Sequence, residues 1–297
     1  MNVPFLKYSK IYYIFSILLV LAAISCLIFF GLKFGIDFLG GSILEVDFEQ
    51  RPENPVIQEK LKDLNLGEIT IQPSGEKGII LRMKEINEET HQKIISKLNE
   101  ISKIEEKRFE SIGPVIGKEL RQKTIILIIV SLIALLFYIA IAFKKVSRPL
   151  SSWQYGIISI VALTFDVLIP IGIFALLGKF YNAQFNIPIV TALLTILGYT
   201  INDKVIVFDR VRENLLKQRG LSFDFLVNLS LNQTLIRSLS TGSCSLLVLF
   251  SLFFFGGETL KYFSLTLIIG IIIGTYSSLF LASPLLVSWL KWREKRD

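Results

Sequence analysis

Residues 198–214 read Gly198-Tyr199-Thr200-Ile201-Asn202-Asp203-Lys204-Val205-Ile206-Val207-Phe208-Asp209-Arg210-Val211-Arg212-Glu213-Asn214. The stretch completes an apolar run that starts near residue 188, and it sets a carboxylate and an ammonium inside that run. About 20 apolar residues are what a helix needs to cross a hydrocarbon core. A charge held there costs about 2.5 kcal/mol or more, so it tends to mark function. Asp209 to Asn214 reads differently, as the interfacial charged end of the same helix.

Five more apolar runs flank this one, so the spans fall at about 11–31, 124–143, 156–177, 188–208, 239–256 and 262–287. The chain has 297 residues, 52% hydrophobic and 19% charged, with mean hydropathy +0.57, which places it among membrane proteins rather than soluble ones. The organisation expected is an N-terminus and first span over 1–31, a polar domain over 32–122, five spans over 123–290, and a basic tail over 291–297. Ala22-Ala23-Ile24-Ser25-Cys26 faintly resembles a signal cleavage site, but Leu27-Ile28-Phe29-Phe30 continue the apolar run, so an uncleaved span is expected.

The net charge of +7 does not come from the polar domain. Lys33 to Lys123 holds 15 Lys/Arg against 17 Asp/Glu. The excess lies beside the spans, which speaks against a nucleic-acid groove. With the N-terminus cytoplasmic, the inside segments carry 14 Lys/Arg, including Lys144, Lys145, Arg148 and Arg219, and the short outside loops only Lys179 and Lys261. The positive-inside rule then puts 32–122 outside the cytoplasm and both termini within it.

That outside segment predicts a βαββαβ order, the ferredoxin-like arrangement. Ser42 to Phe48 alternates as a strand, and Pro55 to Leu64 has helical spacing with Asn54 as cap. Gly67 to Ile71 and Gly78 to Met83 read as strands about a turn at Pro73-Ser74-Gly75. Asn87 to Ser102 is an amphipathic helix, and Ile104 to Ser111 the last strand. The fold class is therefore a polytopic α-helical membrane protein, six spans with one small α+β extracytoplasmic domain.

Nothing in the sequence points to an enzyme. One histidine, His91, two cysteines within apolar runs, Cys26 and Cys244, and no GxxxxGK[ST] loop argue against metal chemistry, a His-based triad and ATP hydrolysis. No cofactor is expected, and an energy source must come from elsewhere.

Asp203 is the leading candidate site residue. Thr191, Thr195, Gly198 and Asn202 fall at i, i+4, i+7 and i+11 beside it, predicting a wet seam against another helix. Burial favours the neutral carboxyl and a nearby cation the charged one, so a group balanced between them can carry a proton. Arg237 is the candidate cation, Lys204 is expected to snorkel toward the cytoplasmic side, and Asp166 is a second relay point or a hydrogen-bond acceptor. A buried polar contact that only fixes packing is the alternative for Asp203. Gly270, Gly274 and Ser278 recur every fourth residue, and Ser238, Gly242 and Ser245 nearly so, which suits close helix packing.

Five segments in order resemble the SecD/SecF family of the resistance–nodulation–division superfamily. They are Phe34-Gly35-Ile36-Asp37-Phe38-Leu39-Gly40-Gly41, Ile112 to Gly117, Gly198 to Asn214, Asn232 to Ser238, and Phe255-Gly256-Gly257. The short outside domain is similar to the SecF branch. The resemblance implies a bacterial inner-membrane export subunit that pairs with SecD and the SecYEG channel, with YajC and YidC as further partners. It implies action on exported unfolded polypeptides, and use of the proton gradient with sodium as the alternative ion. The family's proton-pathway Asp and functional Arg match Asp203 and Arg237, and Asp166 matches a common third-span Asp. Asp37 with Gly35, Gly40 and Gly41 matches a signature with a structural role. Lys204 departs from the family pattern, where a small hydroxylated residue is frequent. Rival readings are a proton-antiporting half-transporter for a small molecule or lipid, and a passive scaffold.

Overall fold

Long apolar stretches must satisfy their backbone groups internally in lipid, which leaves the helix as the solution for each run. The computed structural model describes residues 3–143, 149–218 and 220–296, the side chains of 258 and 259 excepted. Lys144, Lys145, Arg148 and Arg219, which entered the count of orientation charges, lie outside the described residues.

Among the described residues, six helices have the length and apolarity to cross a membrane: Phe5–Phe30, Pro114–Ala142, Ser152–Tyr181, Ile187–Lys217, Phe223–Phe255 and Leu260–Glu294. Their helical elements are α1 (Ser9–Phe30), α5 (Pro114–Ala142), α6 (Ser152–Tyr181), α7 (Ile187–Lys217), α8 (Phe223–Phe255), α9 (Gly257–Ser277) and α10 (Ser283–Glu294), with a π-helical turn, Ser278–Ala282, between the last two. Several run past the predicted spans. Helix α8 starts about sixteen residues early because Leu226, Val227, Ser230, Leu231 and Thr234 already present one buried face. Asn214 of α7 then donates to Ser230 Oγ at 2.7 Å and Gln233 Oε1 at 2.9 Å, joining the two helices beyond the apolar run.

The spans are unequal. The most apolar window of the third, fourth and sixth is 56, 56 and 61% buried, and that of the first, second and fifth only 11%. The third, fourth and sixth form the interior, and the others present residues such as Ile28, Ile126 and Val248 outward, as lipid-facing helices do. Small residues let backbones approach: a Cβ on Gly172 of α6 would lie 2.6 Å from Ala23 Cα of α1. Cys26 and Cys244 are unpaired thiols.

The second compact unit comprises residues 34–126 with 184–187. After α2 (Ile36–Leu39), it holds β1 (Gly41–Phe48), α3 (Asn54–Leu61), β2 (Thr70–Ser74), β3 (Gly78–Met83), α4 (Glu88–Asn99) and β4 (Ile104–Ile112). The sheet is antiparallel in the order β2-β3-β1-β4, with a bulge between Glu45 and Val46 where β1 meets β4. This is the predicted βαββαβ order. Leu44, Val46, Ile79 and Leu81 on the sheet and Ile57, Leu61, Ile94 and Leu98 on the helices are all fully buried.

Local differences have local causes. Gly67 takes φ +74°, so β2 begins only at Thr70. Pro73 falls inside it, which an edge strand tolerates because its missing N–H faces no partner. The turn moves to 75–77. Glu53, not Asn54, precedes α3, whereas Asn87 caps α4 by accepting from Thr90 N at 3.0 Å. His91 is buried, its ring stacked on Phe109 at 3.9 Å between Glu88 and Glu106.

Leu81 lies at the centre of this core, so Leu81→Ala is expected to lower the unit's stability by about 2–5 kcal/mol, lost transfer energy plus a cavity. Hydrogen exchange of the β3 amides in the full chain reads this: protection falls in the variant, and unchanged protection would mean the site collapses without cost.

Candidate functional site

Among the charged residues of the spans, Asp166 on α6 and Asp203, Lys204 and Asp209 on α7 fall in or beside the apolar runs. Asp209 is exposed and pairs with Arg212 at 3.3 Å, consistent with an interfacial cluster. The other three are enclosed. Asp166 and Lys204 are 0% exposed and Asp203 6%.

Adjacent helical residues point about 100° apart, and Asp203 and Lys204 use that divergence. Asp203 turns to α8 and the π-helical turn. Ser238 Oγ donates to its Oδ1 at 3.0 Å, and Ser278 Oγ to its Oδ2 at 3.3 Å. Lys204 turns to α6, where Nζ donates to Asp166 Oδ2 at 2.6 Å. Ser278 opens the i→i+5 turn, a distortion frequent at functional sites. Its carbonyl accepts from Ser283 Oγ at 3.0 Å.

The glycine series makes this proximity possible. A Cβ on Gly270 would lie 2.1 Å from Ile196 Cδ1, and one on Gly274 2.0 Å from Thr200 Cγ2. Helix α9 thus meets α7 through bare backbone, and Ser278 follows one turn on. Gly242 of α8 is looser, 3.4 Å from Thr275 Oγ1.

Three expectations meet a different arrangement. Lys204 does not snorkel: the carboxylate of Asp166 offers a counter-charge at 2.6 Å, a nearer solution than the interface. Arg237 is not brought to Asp203. Ser238 takes the inward direction, so its neighbour Arg237 is exposed and lines a cavity of about 360 Å³ with Asp209, Arg210, Glu213 and Gln233. The stripe of Thr191, Thr195, Gly198 and Asn202 is exposed, because Ala192, Leu193, Ile196 and Thr200 take the buried face. Ser238 and Ser278, expected from their spacing as small packing residues, also supply hydroxyls to the Asp203 carboxylate.

The Phe34–Gly41 signature is tied by hydrogen bonds within the second unit. Asp37 Oδ2 accepts from Ile187 N at 2.7 Å, a carboxylate at the first residue of α7. Gly35 N donates to Phe185 O at 2.8 Å. Gly40 (φ +80°) and Gly41 (φ +128°) sit in conformations L side chains rarely adopt, and a Cβ on Gly40 would lie 2.7 Å from Pro114 Cα. Among the described residues no group of three or more His, Cys, Asp or Glu could hold a metal ion.

Six spans around a buried Asp–Lys pair and a hydroxyl-bound Asp define a multi-pass membrane protein with an ionisable interior. Residues 92–292 match the family described as "Protein export membrane protein SecD/SecF, C-terminal", and residues 27–50 match the "SecD/SecF GG Motif". The chain belongs to the SecD/SecF family of protein export membrane proteins. Two proteins named protein translocase subunit SecF are similar along almost their whole length. The one from Thermobaculum terrenum is 40% identical, covering 97% of this chain and 94% of that protein. The one from Desulfurispirillum indicum is 36% identical, covering 97% and 91%. The crystal structure of SecDF from Thermus thermophilus, a translocon-associated membrane protein, matches with TM-score 0.85 and 32% identity over 97% of this chain. A structure of SecDF in a super-membrane-facing form matches with TM-score 0.72 and 31% identity over the whole of this chain. This chain spans 39–40% of the length of those SecDF chains.

Proposed function

We propose that the chain is an auxiliary subunit of the Sec protein-export machinery of the bacterial inner membrane. It pairs with a SecD-like chain and uses the proton gradient to promote late steps of translocation. The observation that carries the ion-driven part is Asp203, a carboxyl enclosed between two serine hydroxyls with no cation bound to it among the described residues. A hydroxyl can donate to the ionised carboxyl or accept from the protonated one, so the cradle suits both states. The charge count supports both termini in the cytoplasm and the α+β unit outside.

The exposed face of α7 is compatible with a partner helix. Thr191, Thr195, Gly198 and Asn202 form a stripe of small and polar residues that suits another helix better than lipid. SecDF chains are more than twice as long as this one, and a SecD-like chain, with the SecYEG channel beyond it, is the proposed counterpart of the part this chain does not cover. YajC and YidC are further members of the proposed assembly, and exported unfolded polypeptides are the cargo. A proton-antiporting half-transporter of a small molecule or lipid is the rival reading.

Co-purification in mild detergent followed by export assays in vesicles tests the proposal. A SecD-like chain and channel subunits are expected to accompany the protein, and an imposed proton gradient to stimulate completion of export. Solitary migration together with gradient-independent export would overturn it. Arg237 lines an exposed, charged cavity at the cytoplasmic end, so its role is proton access rather than direct pairing with Asp203. Arg237→Ala is expected to lower gradient-stimulated export about tenfold at unchanged protein level, a barrier change near 1.4 kcal/mol. A fall in protein level alone would make Arg237 a folding or topology residue.

A further inference from the structure

The three buried charges are not equivalent, and the Asp166–Lys204 pair has surroundings the proton reading of Asp203 does not use. Asp166 is fully buried, and its two oxygens differ. Oδ2 accepts from Lys204 Nζ at 2.6 Å, whereas Oδ1 has no hydrogen-bond partner. Thr200, one turn before Lys204 and 1% exposed, shows the same asymmetry. Its carbonyl accepts from Lys204 Nζ at 3.4 Å, whereas its Oγ1 is without a partner. Gly274 closes the third side: a Cβ there would lie 3.8 Å from Asp166 Oδ2. The ammonium therefore sits against a carboxylate and a carbonyl, with a second carboxylate oxygen and a hydroxyl unsatisfied on the same two residues.

Oxygen donors suit a hard cation, and a single formal negative charge matches a monovalent one. A lysine ammonium is such a cation, fixed to the chain by four methylenes. We propose that Lys204 is a tethered cation: its ammonium fills an oxygen-lined carboxylate site between α6, α7 and α9 that binds a free monovalent metal ion once the ammonium is removed. The pair is retained because stripping either partner leaves a buried charge uncompensated, a heavy penalty in an enclosed site. A tether cannot exchange with either compartment. It takes Asp166 out of any ion cycle and leaves Asp203 as the buried carboxyl that exchanges. That consequence makes this chain selective for protons over sodium, and it rests on the ion-driven reading of Asp203; the site itself does not.

The test is sodium binding by the purified full-length chain with its SecD-like partner, by isothermal titration and by thermal stability in sodium chloride against choline chloride. The native complex is expected to show no saturable sodium binding at Asp166 and equal stability in both salts. Lys204→Ala is expected to gain one site per chain, at least about tenfold tighter than any sodium binding by the native complex, with stabilisation by sodium that choline does not give. Asp166→Asn combined with Lys204→Ala is expected to abolish that gain. Lys204→Gln gives the same comparison with most of the side-chain volume kept. A folded Lys204→Ala chain indifferent to sodium overturns the proposal, as does a gain that survives Asp166→Asn. So does loss of both single variants in sodium and choline alike, since a filled site would hold them together. Export assays separate the two readings. Insensitivity of export to Asp203→Asn would sink the ion-driven reading and leave the sodium result standing. An indifferent Lys204→Ala chain whose export still fails with Asp203→Asn would do the reverse.

Discussion

Asp203→Asn is expected to remove gradient-stimulated export completely while leaving the protein assembled with its partner. Asparagine has nearly the volume of aspartate, and its amide can meet the Ser238 and Ser278 hydroxyls, which lie 3.0 and 3.3 Å from the two carboxylate oxygens. The cradle therefore survives. The amide neither takes up nor releases a proton, so a cycle that runs on its ionisation stops. Each charge carried through the full potential releases about 2.3 kcal/mol per 100 mV, and all of that is lost, not a fraction. Export in vesicles with an imposed gradient, alongside immunoblotting and co-purification, measures it. Normal stimulation in the variant would reduce Asp203 to a packing residue.

Gly274→Val is expected to have the second largest effect, on assembly of the site. The new Cβ would lie 2.0 Å from Thr200 Cγ2 and 2.9 Å from Thr200 Cβ. Threonine is stiff at χ1 in a helix, so the neighbour cannot swing aside cheaply. Helix α9 must move off α7, carrying Ser278 away from Asp203. Overpacking of this kind costs about 1–3 kcal/mol, and lost hydrogen bonds add to it. A lower apparent melting temperature in detergent and reduced accumulation are expected. Gly242→Ala, whose Cβ would sit at an ordinary 3.4 Å from Thr275 Oγ1, serves as the tolerated control. Equal stability of the two variants would show that the α7–α9 contact is looser than described.

Much of this was legible before any coordinates. Apolar runs gave six spans because backbone in lipid has one economical solution, and alternation with turn residues gave βαββαβ. Asp203 stood out because a carboxylate amid Val205, Ile206 and Val207 is expensive. The Gly270 and Gly274 spacing announced a close approach, now seen against Ile196 and Thr200.

The failures share a cause. For Lys204, Arg237 and the Thr191–Asn202 stripe the outcome depends on how each helix is rotated against its neighbours, which spacing along one helix does not fix. Lys204 is decided by Asp166, 38 positions away on α6. Arg237 is decided by Ser238, which takes the inward direction next to it. Which face of α7 turns inward is set by packing against the enclosed spans, and both faces carry plausible residues. Ser238 and Ser278 carry no signal as carboxylate ligands, since serine is common wherever helices pack closely.

The most direct measurement is the carbonyl stretch of the Asp203 carboxyl, followed by infrared difference spectroscopy on the reconstituted complex and assigned by its absence in Asp203→Asn. The account predicts a protonated-carboxyl band that appears and disappears as the complex is shifted between conditions with and without an imposed proton gradient. A band that stays fixed in every condition, or never forms, would contradict it.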